Sequence, residues 1–183
     1  MPRPGALVLV VGPSGAGKDT LMGAARQALA DDGSFVFARR VITRDAMAAL
    51  EDHDSIDREG FAQAQQSGAY ALTWEAHGLC YGVPASIDDE IANGRTVIMN
   101  GSRRMIADAQ ARYPRCLVTL VTADPAVRAK RLAGRGRETE AEIAERLAHE
   151  GAPVPEDVEV VRIDNSGDLD TAAAALVRAI RLA

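Results

Sequence analysis

Nine residues near the start of the chain, Gly12-Pro13-Ser14-Gly15-Ala16-Gly17-Lys18-Asp19-Thr20, have the types and the spacing to hold a phosphate group. Glycines let the backbone turn tightly and aim successive N–H groups into one concave nest, to which the lysine adds a point charge. Gly, four residues, Gly, Lys is the pattern of a nucleotide phosphate-binding loop when a strand precedes it and a helix follows. Both are expected here. Ala6-Leu7-Val8-Leu9-Val10-Val11 is an apolar run of strand length, and Leu21, Ala25, Ala28 and Leu29 recur at helical spacing. A helix beginning near Gly17 also turns its positive end toward the anion. The position after the lysine, where a Ser or Thr hydroxyl usually meets Mg²⁺, is Asp19. Either the hydroxyl role passes to Thr20, or a carboxylate takes the metal. The plain alternative is a glycine-rich strand-to-helix turn with an incidental lysine.

Charge narrows the class of partner. The net charge of −5 argues against a general nucleic-acid binder, because affinity for a polyanion comes from excess Lys and Arg. Yet Arg39, Arg40 and Arg44 cluster early, and Arg128, Lys130, Arg131, Arg135 and Arg137 cluster late. Local cationic clusters in an acidic chain suit small phosphorylated ligands, although any single arginine is more often a solvated helix face. The three histidines, His53, His77 and His149, form no triad-like pattern. Cys80 and Cys116 form no CxxC motif or Cys/His cluster, so neither a disulfide framework nor a zinc site is expected. No apolar run approaches the roughly 20 residues of a membrane span, and Met1-Pro2-Arg3-Pro4 leads directly into a strand without a signal-peptide core. A cytoplasmic protein is expected.

The elements that must position these groups alternate between strand and helix. At 183 residues the chain suits one domain. Ser34 to Ala38 reads as a second strand leading into Arg39 to Arg44; Asp57 caps a short helix through Gln66; Tyr70 to Trp74 is a strand, and Gly78 to Gly82 a turn carrying the Tyr81 hydroxyl. Pro84 opens a helix that Gly94 closes, and Thr96 to Met99 is a buried-type strand ending at Asn100. A helix from Ser102 to Arg112, a strand from Cys116 to Val121 and a helix after Asp124 continue the alternation. Arg135-Gly136-Arg137 interrupts the helical pattern, which resumes at Ile143 and Leu147. The strand Val158 to Ile163 runs into Asp164-Asn165-Ser166-Gly167, and the closing helix puts Leu169, Ala173, Leu176, Val177 and Ile180 on one face. The alternation predicts a three-layer α/β fold with a parallel central sheet and ligands at the carboxyl ends of the strands, near Arg44, Asn100 and Asn165.

The ordered set of Gly-Pro-Ser-Gly-x-Gly-Lys, Thr43-Arg44, Gly78-x-x-Tyr81-Gly82, Arg131-Leu132-x-x-Arg135-Gly136 and Glu142-Ile143-x-x-Arg146-Leu147 resembles the guanylate-kinase-like P-loop kinases over almost the whole chain. The resemblance implies a single kinase domain. Its core, about 1–33, 84–133 and 151–183, would bind ATP and Mg²⁺; a substrate-binding insertion would span about 34–83 and a lid about 134–150. It implies that Lys18, Arg131, Arg135 and Arg146 surround the transferring phosphoryl group, that Thr43, Arg44 and Tyr81 hold an acceptor phosphate, and that Asn165 meets adenine.

Departures from the guanylate kinase pattern bear on the acceptor. The second acceptor arginine of that family falls on Met47, and its guanine-reading glutamate falls on Thr73, just before Trp74. Glu75 is a shifted substitute only if a one-residue slip leaves it on the same face of the strand, which period-two geometry forbids. A missing base contact suggests an acceptor without guanine. Thr43 to Ala46, Tyr81-Gly82-Val83, Asn100-Gly101-Ser102-Arg103 and Gly-Lys-Asp are similar to a narrower branch, the ribose 1,5-bisphosphate phosphokinases of phosphonate degradation. That likeness implies a small phosphorylated sugar acceptor, contacts from Asn100 and Arg103, and a 5-phosphoribosyl 1-diphosphate product; two alternatives are a guanylate or other nucleoside-monophosphate kinase and a non-catalytic protein-binding module. Guanylate kinases carry an aspartate where this chain has Asn100, so Asp19 becomes the candidate acidic ligand to Mg²⁺, directly or through water.

Overall fold

The apolar run at the start of the chain becomes the central strand of a parallel sheet, and its alternate side chains feed two separate cores. The computed structural model describes residues 4–44, 53–136, 139–148 and 151–183. Strand β1 (Ala6–Val11) is flanked by β7 (Thr96–Asn100) and β8 (Cys116–Thr122) in a five-stranded sheet ordered β2-β7-β1-β8-β9, where β2 is Phe35–Phe37 and β9 is Val160–Asp164. All of its pairings are parallel. Helices cover both faces, which is why β1 is apolar at every position rather than alternating. Leu7, Leu9 and Val11 pack with Met99, Ile106 and Leu120 on one side, whereas Val8 and Val10 pack with Leu21, Ile98, Leu176 and Ile180 on the other. Each fully buried Leu or Ile contributes about 1.5–3 kcal/mol of transfer free energy.

Helix α1 (Lys18–Ala28) and α7 (Leu169–Leu182) cover the second of these faces, while α4 (Ile106–Arg112) lies on the first. Asp168 caps α7 by accepting from the Thr171 N–H at 2.9 Å. The short α3 (Ile87–Ala92) precedes β7 and is tied to α4 through Asp88, which accepts from the Arg112 guanidinium at 2.5 Å and the Tyr113 hydroxyl at 2.6 Å.

A second sheet, ordered β4-β3-β6-β5, is inserted between β2 and α3. It consists of β3 (Arg40–Ile42), β4 (His53–Ser55), β5 (Tyr70–Ala76) and β6 (Leu79–Pro84), with α2 (Arg58–Gln66) between β4 and β5. Asp57 caps α2 as expected, accepting from the Gly60 N–H at 2.7 Å.

Several expectations need correction. The strand expected over Ser34 to Ala38 forms as β2 in the parallel sheet, but the segment it leads into is itself a strand, β3, in the inserted sheet, so the chain leaves the main sheet at Ala38-Arg39. Leu79 to Gly82 is strand rather than turn: the reversal is at His77-Gly78, both with positive φ, and β5 and β6 pair antiparallel across it. Pro84 ends β6 instead of opening a helix. Leu169 is 39% exposed at the start of α7, whose buried positions are Ala172, Leu176, Ala179 and Ile180. Among the described residues, no helix is long and apolar enough to cross a membrane.

Candidate functional site

The loop after β1 takes the shape that its glycines permit. Gly15 and Gly17 have φ of +77° and +88°. A Cβ at Gly15 would come within 3.0 Å of the Arg128 carbonyl oxygen, and one at Gly17 within 2.4 Å of the Asn165 amide nitrogen. The loop is therefore pressed between α5 (Pro125–Gly134) and the turn after β9, with no space for side chains at those two points. Lys18 Nζ folds over the loop and donates to the Gly12 carbonyl at 2.8 Å.

Three buried or half-buried side chains hold the loop from behind. Arg128, only 4% exposed, donates through Nε to the Ser14 carbonyl at 3.0 Å. Arg131 donates to the Ala16 carbonyl at 3.3 Å and to the Asn165 carbonyl at 2.7 Å. Asn165 itself is 2% exposed, and its amide donates to the Ala16 carbonyl at 2.8 Å. These contacts alter two sequence readings. Asn165 is spent on the loop backbone and is turned inward, so its side chain is not presented to a base. Arg128, one of the cationic cluster for which a solvated helix face is the plain alternative, is instead buried and acts as a loop brace. Helical spacing carried the signal: Arg128, Arg131 and Leu132 fall within one turn of the face that meets the loop.

In front of the loop lies a cleft of about 720 Å³, bounded by Gly12, Ser14, Lys18 and Asp19 on one side and by Arg40, Arg44, Trp74 and Tyr81 of the inserted sheet on the other. Asn100 and Arg103 close its floor, and Arg146 reaches in from α6 (Glu140–Ala148). Arg146 Nη2 donates to the Ser14 hydroxyl at 3.0 Å, so this arginine meets the loop directly. Helix α6 begins with a capping box that sequence reading passed over, although Thr-x-x-Glu signals one. The Glu142 N–H donates to the Thr139 hydroxyl at 3.3 Å, while the Thr139 N–H at 2.7 Å and the Thr139 hydroxyl at 2.9 Å both donate to the Glu142 carboxylate and hold it below its usual range.

The remaining expected residues divide. Thr43 contributes its hydroxyl to the Cys80 N–H at 2.8 Å, fastening β3 to β6 and aiming Arg44, but it does not line the cleft. Thr20 is exposed and outside the cleft lining, so of the two candidates after the lysine only Asp19 faces the ligand space. Asn100 Nδ2 donates to Asp19 Oδ1 at 2.7 Å. Gly15 and Ala16 lie buried behind the loop. Arg135 is exposed at the end of α5 and away from the cleft. Met47, Arg137 and His149 lie outside the described residues.

The face of β5 that meets the cleft is decided by strand parity. Trp74 and Ala76 point in, whereas Glu75 is exposed on the opposite face and Thr73 accepts from Gln65 of α2 at 3.3 Å. Trp74 stacks on Tyr81 with ring centroids 5.1 Å apart and planes 7° from parallel. The wall of the cleft formed by the inserted sheet thus has arginines and aromatic rings, with no carboxylate contributed by β5.

Asp19 also fits a hard divalent cation. It is exposed at the cleft, and the Asn100 bond engages Oδ1 alone among its oxygens. Among the described residues no group of three or more His, Cys, Asp or Glu could hold a metal, so an ion here would take one carboxylate together with phosphate oxygens and water, as Mg²⁺ commonly does.

No protein-family model matches the chain. It is 51% identical over 173 residues to a Brucella melitensis protein named ribose 1,5-bisphosphate phosphokinase PhnN, covering 94% of this chain and 90% of that one. It is 54% identical over 160 residues to an Acidiphilium cryptum protein of the same name, covering 87% and 85%. A Cupriavidus necator protein named bifunctional ribose 1,5-bisphosphokinase-thymidine phosphorylase is 48% identical over 181 residues, 99% of this chain and 30% of that longer one. In three dimensions the chain is similar to a guanylate kinase from Anaplasma phagocytophilum, with a TM-score of 0.73 at 16% identity over 98% of this chain and 86% of that one. That likeness establishes an α/β P-loop kinase fold.

Proposed function

The chain belongs to the ribose 1,5-bisphosphate phosphokinase family, and from that premise we propose that it transfers the γ-phosphoryl group of ATP to ribose 1,5-bisphosphate. The products are 5-phospho-α-D-ribose 1-diphosphate and ADP. The observation that carries the acceptor assignment is the parity of β5: Trp74 and Ala76 face the cleft while Thr73 and Glu75 do not, which leaves a cationic, aromatic wall and no acid from this strand to read a guanine.

Phosphoryl transfer needs alignment and charge neutralisation more than covalent help from the protein. The acceptor oxygen belongs to a phosphate that is already ionised near neutral pH, so no side chain has to remove a proton. A new P–O bond forms to the 1-phosphate as the bond between the γ-phosphorus and the bridging oxygen breaks, and the electron pair leaves on ADP. Lys18 and the loop N–H groups hold the β- and γ-phosphates, Arg146 bridges from the lid helix to the same group, and Arg44 with Tyr81 orients the acceptor phosphate. Arg103 contributes from the floor. Arg131 and Asn165 act through the loop they brace. Arg135 stands outside the cleft and reaches the phosphates only if the 134–150 lid moves. Mg²⁺, held by Asp19 directly or through water, supplies charge neutralisation on the nucleotide phosphates when bound.

Coupled detection of ADP with ribose 1,5-bisphosphate and, separately, with GMP tests the reading. Turnover of the sugar bisphosphate and little of GMP is expected. The reverse preference would identify a nucleoside-monophosphate kinase, and absence of nucleotide binding in calorimetry would identify a binding module.

A further inference from the structure

A row of side chains crosses the inserted sheet beside the reacting phosphate. Arg40 and Ile42 are two apart on β3 and share a face, and Ile42 is paired with Tyr81 on β6, which is paired with Trp74 on β5. Parity therefore puts Arg40, Tyr81 and Trp74 on one surface, and all three line the cleft. The rings of Tyr81 and Trp74 are stacked, and the Arg40 guanidinium lies 5.6 Å from the Tyr81 ring centroid. A guanidinium over an aromatic face has its orientation limited by the ring.

Among the described residues, the cleft is lined by more cations than carboxylates. Leaving His77 aside, six cationic side chains, Lys18, Arg40, Arg44, Arg103, Arg104 and Arg146, face three carboxylates, Asp19, Glu142 and Glu145. Lys18 and Arg146 touch the loop itself. Arg103 and Arg104 follow β7, whose last residue Asn100 is bonded to Asp19, and a Cβ on Gly151 would meet the Arg103 guanidinium at 3.6 Å. Of these, Lys18 and Arg146 belong to the nucleotide side by direct contact with the loop. Arg44 lies beyond the end of β3 and Arg40 at its start, so the inserted sheet offers cations on both sides of Tyr81.

Given the bisphosphate acceptor proposed above, the geometry points to Arg40 as the group that binds its second phosphate, the one on C5 that undergoes no reaction, with the sugar lying along the stacked Tyr81 and Trp74 rings. The same row excludes a purine for two reasons. A cation stands where a neutral base would end, and no carboxylate from β5 faces the cleft to accept from a base N–H. Specificity for a doubly phosphorylated pentose then comes from an ion pair that a monophosphate does not make, the kind of charged contact whose omission is costly.

The test compares two acceptors in the wild type and in Arg40→Met, which keeps an unbranched apolar stem over Tyr81 but removes the charge. The acceptors are ribose 1,5-bisphosphate and ribose 1-phosphate, which retains the reacting phosphate and lacks the other. In the wild type kcat/KM should favour the bisphosphate, and in Arg40→Met that preference should shrink by about 100-fold, through KM of the bisphosphate more than kcat. Arg40→Lys should recover part of it. Equal loss on both acceptors, or an unchanged preference in Arg40→Met, overturns the assignment while leaving the kinase activity standing. No turnover of the bisphosphate by the wild type overturns the proposed function and this inference with it. ADP affinity and thermal unfolding of both variants separate these outcomes from misfolding.

Discussion

The Asn100 amide donates to the Asp19 carboxylate at 2.7 Å, joining the end of β7 to the first turn of α1 across 81 residues of chain. The two residues that depart from the usual phosphate-loop kinase pattern are thus in contact. The Asn100 amide thereby fixes the orientation of the Asp19 carboxylate at the mouth of the cleft.

Asp19→Asn should raise the Mg²⁺ concentration needed for half-maximal rate by about 10-fold or more, since loss of one hard oxygen donor leaves the ion to phosphates and water. Binding of Mn²⁺ in the presence of ADP, followed by its paramagnetic resonance signal, should weaken in parallel. Asn100→Ala should produce a smaller shift in the same direction. An unaltered metal titration in Asp19→Asn would sink the assignment.

Removing Arg128 should loosen the loop more than it harms the fold. Its guanidinium is buried, with Nε on the Ser14 carbonyl and no hydrogen-bond partner at Nη2. Exchange for methionine removes a buried charge with an unpartnered Nη2, which offsets part of the cost of leaving the Ser14 carbonyl without its donor. Arg128→Met should therefore change the unfolding free energy by less than about 1 kcal/mol but weaken ADP binding by about 10-fold. Calorimetric titration and thermal unfolding, measured on the same samples, decide between this and a purely structural role.

Arg146 contacts the loop at the Ser14 hydroxyl from a helix that starts with its own capping box. Arg146→Met should lower kcat by about 10³-fold, the range of a transition-state arginine, with a much smaller effect on KM for ATP. Thr139→Ala should weaken the helix start by about 1 kcal/mol and reduce kcat only modestly. A loss confined to KM would place Arg146 in ground-state binding instead.

The Asp88 carboxyl is held below the usual carboxylate range by the Arg112 guanidinium, with the Tyr113 hydroxyl adding a second bond. A depressed pKa means that the unfolded chain binds the proton more readily, so stability falls as the pH falls. The stabilisation should be fully present above the unfolded carboxylate value of about 4 and disappear as pH drops through the lower folded value. In urea titrations Asp88→Asn should be less stable than the wild type at neutral pH, with the gap closing in acid. A gap independent of pH would mean that packing, not charge, is what the substitution removes.

Much of the machinery was legible because it depends on local rules. The strand before the loop, the helix after it, the alternation along the core and the Asp57 cap follow from apolar periodicity and capping chemistry within a few residues. The second sheet was harder to read. Its strands are short, β4 has two exposed residues, and the hairpin turns at His77-Gly78, not at the more conspicuous glycine-and-tyrosine cluster beyond it. The burial of Asn165 has no such local signal, because the phosphate loop that covers it lies more than 100 residues away along the chain.

Residue types and order alone determined a phosphate-binding loop on a parallel α/β core, a kinase resemblance, and the absence of a glutamate at the expected base-reading position. Tertiary structure alone decided which groups share the cleft. It joined Asn100 to Asp19, turned Trp74 inward and Glu75 outward by strand parity, buried Arg128 beneath the loop and left Arg135 outside. The physical reason is that backbone preferences act between near neighbours, whereas a site is made by side chains from strands and helices that meet only after the core has closed.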